Sequence, residues 1–142
     1  MAFGRAVLAL LLIGIAAACS RGDAAPKGRL IGVREKDFAL ATNVDHVHAG
    51  LVTFRVHNAG PSTHEFIVAR TSLAADALPL QKGILLVDES SKQIHEVASL
   101  PEVRLGATRD LTVSLPPGHY VVFCNHDGHY RGGMYAPLEV TG

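Results

Sequence analysis

One thiol, several imidazoles and one thioether crowd the C-terminal stretch Pro116–Val140, PPGHYVVFCNHDGHYRGGMYAPLEV. A Pro116-Pro117-Gly118 turn launches the apolar run His119 to Phe123, which ends on Cys124. His129 follows with four residues between, Met134 with four more, and a second apolar run closes the chain. A thiolate, an imidazole and a thioether on one loop between two strands are ligands for a soft metal, and a second imidazole would complete a copper set. His64, which follows the turn formers Asn58-Ala59-Gly60 and opens the run Glu65 to Ala69, is the candidate for that fourth position. A histidine held where a turn becomes a strand is rigid, as a copper ion changing oxidation state requires.

The rest of the chain must supply the frame. It has 142 residues, of which 48% are apolar and 18% charged, with 13 basic and 13 acidic side chains. That is the make-up of one globular domain with an adequate core. No clustered basic face marks a nucleic-acid binder.

Residues 1–18 read as a signal peptide: Arg5 gives a short basic region, and Ala6 to Ala18 is an apolar run too short to span a membrane. Ile15-Ala16-Ala17-Ala18-Cys19 resembles a bacterial lipobox, with Ala16 where leucine is usual. Lipidation of Cys19 is the expectation, and cleavage after Ala18 or Ala25 to a soluble form is the alternative. Residues 19–28, rich in small and polar side chains around Pro26, then make a flexible tether to a domain over 29–142. Export leaves Cys124 as the domain's single cysteine, in a compartment where thiols normally pair. Such a thiol is either buried and inert or held by a metal.

Short strands dominate the pattern. Leu30 to Val33 and Phe38 to Leu40 read as a pair, and Val52, Phe54 and Val56 alternate with polar residues as a half-buried strand does. Glu65 to Ala69, Ile84 to Val87 and the alternating Leu111, Val113, Leu115 add three more. Ser72 to Leu78 suits one helical turn stopped before Pro79, and residues 88–108 are the least legible. Seven or so short strands with turns between them predict an antiparallel β-sandwich with one or two short helical turns.

At the residue level the motif is more specific than its parts. Pro117-Gly118, Tyr120 and Cys124-x4-His129-x4-Met134, with Asn58-x-Gly60-x3-His64 upstream, resemble the blue copper proteins, or cupredoxins. Both loop spacings equal those of the rusticyanin and sulfocyanin groups, whereas plastocyanin has a shorter first gap and azurin a shorter second one. The resemblance covers residues 30–141, with its sharp motifs at 58–66 and 117–140. It implies a Greek-key sandwich, one type 1 copper ion held by His64, Cys124, His129 and Met134, and a monomer that carries single electrons.

The resemblance also implies an electron path through the ring edge of His129, with Gly128, Met134, Ala136 and Pro137 in an apolar patch around it. Partners would be redox proteins such as a cytochrome or terminal oxidase, met transiently outside the cytoplasm, in the periplasm or at the cell surface. Nucleic acid is not expected, and a membrane would be reached through a lipid on Cys19. In relatives an apolar residue and a proline often stand where this chain has His126 and Asp127, so the loop gains a competing imidazole and loses a stiffener.

Two other readings start from the same residues. A copper delivery or storage protein would expose Met-rich clusters, yet Met134 is the one methionine beyond Met1. A metal-free adhesion module would leave the ligand spacing unexplained. An enzyme is not expected, because oxidases and nitrite reductases need further copper sites. His46 and His48 share one face two residues apart, and a solvated edge is the plain reading.

Overall fold

The computed structural model describes Met1 and residues 28–142. Apart from Met1 and Gly28, the signal peptide over 1–18, the lipidation site Cys19 and the tether over 19–28 lie outside the described residues.

Nine strands and one short helix follow in order: β1 (Arg29–Lys36), β2 (Ala39–Thr42), β3 (His46–His48), β4 (Gly50–Asn58), β5 (His64–Arg70), β6 (His95–Val103), β7 (Thr108–Leu115), β8 (Gly118–Phe123), α1 (His129–Gly132) and β9 (Tyr135–Thr141). They form a four-stranded sheet ordered β2-β1-β4-β7 and a five-stranded sheet ordered β3-β9-β8-β5-β6. Two parallel pairs, β1 with β4 and β3 with β9, interrupt an otherwise antiparallel sandwich.

Alternation decides which residues meet between the sheets. Ile31 and Val33 of β1, Val52, Phe54 and Val56 of β4, Phe66 and Val68 of β5, and Tyr120 and Val122 of β8 form one buried cluster that includes Cys124 and Met134. Strands β5 and β8 are buried on their other face too. There Ile67, Ala69, Val121 and Phe123 lie beneath Leu78, Val87, Ile94 and Tyr130. A strand covered on both faces reads as an unbroken apolar run, which is why FIVA and YVVF do not alternate.

The structure corrects the sequence expectations at two places and fills in a third, all in or beside the covering segment. Residues 72–78 make bends and a turn rather than a helical turn. Tyr130 takes the backbone groups that a helix would use: its hydroxyl donates to Ala75 O at 2.8 Å and accepts from Leu78 N–H at 2.8 Å. Ile84 to Val87 is not a buried strand. Gly83, at φ 84°, helps reverse the chain, Ile84 and Leu85 are exposed, and Val87 alone pairs, with Leu80. Within 88–108 lies β6, a nine-residue edge strand. Its register against β5 shifts twice and Pro101 interrupts its donors, so no clean alternation marks it.

His46 and His48 are exposed on β3, at the edge of the five-stranded sheet. Their ring nitrogens contact Asp45 and the C-terminal residues Thr141 and Gly142.

Candidate metal centre

His64 is positioned by the turn that precedes it. Asn58, fully buried, donates through Nδ2 to Ser62 O and to Val103 O, both at 2.8 Å, and accepts from Gly60 N–H at 2.9 Å. Gly60 is needed because a Cβ there would stand 2.6 Å from the Asp37 nitrogen. The Asn58-x-Gly60 signature is therefore a backbone clamp, and His64 emerges from it as the first residue of β5 with no exposure. Its Nε2–H donates to Asp37 Oδ1 at 2.9 Å. That contact fixes the tautomer, leaving Nδ1 with a free lone pair. Nδ1 is buried and has no protein partner. Burial holds the imidazole below its ordinary pKa, so it is the neutral, ligand-competent form that occupies the site.

Cys124 follows β8 and is likewise fully buried. Its Sγ accepts from Glu65 N–H at 3.4 Å and lies 3.6 Å from His129 Nδ1. Main-chain bonds tie the loop shut: Cys124 N–H to Met134 O at 3.0 Å, Met134 N–H to His129 O at 3.0 Å, and His129 N–H to His126 O at 2.9 Å. Gly128 and Gly133 bracket α1 with left-handed φ values of 76° and 116°. The His64 and His129 rings meet edge to face with centroids 5.2 Å apart, and Met134 is fully buried in the cluster that holds Cys124.

His64 thus comes from the start of β5, Cys124 from the end of β8, and His129 and Met134 from the connection between β8 and β9, with the His64 ring against that of His129 and Sγ against His129 Nδ1. Among the described residues, the three histidine, cysteine or acidic side chains whose ligand atoms all lie within 4.8 Å of one another are Cys124, His126 and His129, so this group includes the competing imidazole and not His64.

The residues fit a soft metal ion. Bonds of about 2.0 Å to nitrogen and 2.3 Å to sulfur place two donors on one ion about 3.5 Å apart, against the 3.6 Å seen. The metal-free thiol is pushed up to about 11, chiefly by burial, so a cation is needed to hold it as thiolate at neutral pH.

No family model matches the chain, and no curated protein matches it. Solved structures do. The reduced auracyanin of Roseiflexus castenholzii superposes with a TM-score of 0.58 at 18% identity, covering 81% of this chain and 98% of that one. Auracyanin A, a "blue" copper protein of Chloroflexus aurantiacus, gives 0.54 at 22% identity over 79% of this chain and 98% of its own. Rusticyanin of Thiobacillus ferrooxidans gives 0.55 at 15% identity over 80% and 79%. The fold is that of the blue copper proteins.

Within this cupredoxin frame, two acidic residues at the site escaped the sequence reading. Asp37, in the turn between β1 and β2, accepts from Ser62 Oγ at 2.8 Å, from Ser62 N–H and from His64. The Ser62 hydroxyl, then its amide and the His64 ring, hold its carboxyl below the usual range. Glu35 continues the inward face of β1 after Ile31 and Val33 and is fully buried, with Oε2 4.0 Å from His64 Nδ1. The alternation in RLIGVREK carried that signal. Asp37 had none, because its contact depends on how the β1–β2 turn folds over the Asn58 clamp.

Burial pushes the Glu35 carboxyl up to about 8 in the metal-free protein. The folded state then keeps a proton that the unfolded chain releases above about 4.5. Metal-free protein should accordingly lose stability as pH rises from about 4.5 to about 8. Chemical denaturation of wild type and Glu35→Gln across that window measures the effect. The difference between the two should change with pH, and parallel profiles would refute a buried Glu35.

The surface around His129 differs from the expected patch. Met134 and Ala136 are buried, so they cannot form it. Beside the histidine stands exposed Phe38 (56%), whose ring lies 5.5 Å from that of His129, and exposed Leu85 (51%) lies at Gly128, whose N–H its carbonyl accepts.

Proposed function

We propose that this protein is a mononuclear type 1 copper protein that carries single electrons between redox partners outside the cytoplasm. Cys124 Sγ 3.6 Å from His129 Nδ1, inside a cupredoxin sandwich, is the observation that carries the reading. His64 Nδ1, Cys124 Sγ and His129 Nδ1 are the strong ligands, with the Met134 thioether as the weak one. Copper would supply a one-electron couple at this site.

The chain supplies rigidity and a dry setting. His64 is held by Asp37, and Cys124 by the Glu65 amide. Both are closed off from solvent, while His129 is half-buried, with its ring against exposed Phe38 and exposed Leu85 bonded to the adjacent Gly128. An exposed apolar rim around a ligand's ring suits a small, short-lived redox encounter. A lipid on Cys19, where acylated, would keep the domain at a membrane.

Because Asp37 orients His64 through Nε2, Asp37→Ala should weaken copper binding by about 10–100-fold, the usual effect of losing such a partner. Competition titration against a chelator reads it, and an unchanged affinity would remove Asp37 from the site.

The function itself is tested by loading the protein with Cu(II) and cycling it. One copper per chain, with an intense visible thiolate band that vanishes on reduction and returns on oxidation, is the expected result. A colourless, tightly held Cu(I) without a reversible couple would favour delivery or storage, and no uptake would favour a metal-free module.

A further inference from the structure

Among the described residues, three buried side-chain polar atoms lack any partner: both carboxyl oxygens of Glu35 and Nδ1 of His64. All three belong to one pair of side chains. A buried carboxyl without a hydrogen bond or counter-ion costs several kcal/mol, so natural cores rarely keep one. Among the described residues no lysine or arginine pairs with it, and its neighbours Arg34 and Lys36 are exposed. The closest approach between the two orphans, 4.0 Å from Glu35 Oε2 to His64 Nδ1, is too long for a hydrogen bond.

It is not too long for two donors sharing an ion. With metal bonds of about 2.0–2.2 Å, two ligand atoms on one centre stand at most about 4.2 Å apart. On its own strand Glu35 takes the inward position after Ile31 and Val33, where a plain core would have another aliphatic residue.

We propose that Glu35 is an oxygen ligand to the metal bound by His64, Cys124 and His129, an inference that rests on the copper reading above. A hard anionic oxygen favours Cu(II), whereas a thioether such as that of Met134 favours Cu(I). Glu35 therefore biases the centre toward its oxidised form and lowers its potential relative to a site without the carboxylate.

The test compares wild type with Glu35→Gln, which keeps the shape, and with Glu35→Leu, which removes the donor and the orphaned oxygens and serves where the amide variant folds poorly. Folding is checked by circular dichroism. Cu(II) and Cu(I) affinities are then measured by competition, and the Cu(II) form by electron paramagnetic resonance and visible absorption.

Both variants should bind Cu(II) about tenfold or more weakly while Cu(I) affinity changes far less, and their hyperfine splitting and band ratio should shift. Each tenfold difference between the two states raises the potential by about 59 mV. Spectra and Cu(II) affinity matching wild type in a folded variant would overturn the proposal and leave the copper site standing. Failure of wild type to take up copper at all would overturn both.

Discussion

Cys124→Ser should abolish the visible charge-transfer band and leave only weak Cu(II) binding. The thiolate is the source of that band, and no other cysteine occurs among the described residues to replace it. The loss of affinity should exceed the roughly 10–100-fold that follows removal of an outer-shell partner, since a direct ligand disappears. The fold should survive. A serine hydroxyl is close in shape and inherits the Glu65 amide as a hydrogen-bond partner, so the metal-free protein should change by about 1–2 kcal/mol. Copper titration followed by absorption, with circular dichroism as the folding control, separates the two effects. An intact band in the variant would remove Cys124 from the centre.

Asn58→Ala should be among the most destabilising single changes in the domain. The amide makes three hydrogen bonds from a fully buried position. Each is worth about 0.5–1.5 kcal/mol net, and the groups left behind would be desolvated without partners. A loss of about 3 kcal/mol is expected, or roughly 10 °C in melting temperature for a domain of this size. Copper affinity should fall with it, because the clamp that aims His64 loosens. Thermal unfolding of metal-free and copper-loaded protein reads both. A shift of only a degree or two would mean that the turn holds its shape without Asn58.

The metal loop was legible in the sequence because its chemistry is local. Cys124, His129 and Met134 sit at fixed spacing on one short connection, and main-chain bonds within that loop hold them there. His64 was legible for another reason: Asn58 and Gly60 are types that a tight clamp requires, and the clamp ends where the histidine begins. The inward face of β4 also followed from alternation, since that strand has one side on the core.

What escaped depended on distant partners. Residues 72–78 have local helix signals, but the Tyr130 hydroxyl, brought from the metal loop, claims their backbone groups. Strand β6 lies on an edge with a shifting register, so its side chains follow no simple period. The choice between His126 and His129 had rested on spacing alone. Geometry adds that His129 Nδ1 approaches Sγ and that its ring packs against both His64 and Phe38, while the His126 ring lies tilted against it with centroids 5.6 Å apart and keeps its own ligand atom within 4.8 Å of Sγ. Glu35 was visible in the phase of β1, but its meaning appeared only when His64 Nδ1 was found unpartnered beside it.

The central claim is that a single copper ion binds a thiolate and two imidazoles in a frame that barely moves between oxidation states. X-ray absorption at the copper edge, recorded on oxidised and reduced protein, addresses it most directly. One sulfur near about 2.3 Å or shorter and two nitrogens near about 2.0 Å, nearly unchanged on reduction, is the predicted result. A copper shell without a short sulfur, or one that exchanges its ligands on reduction, would contradict it.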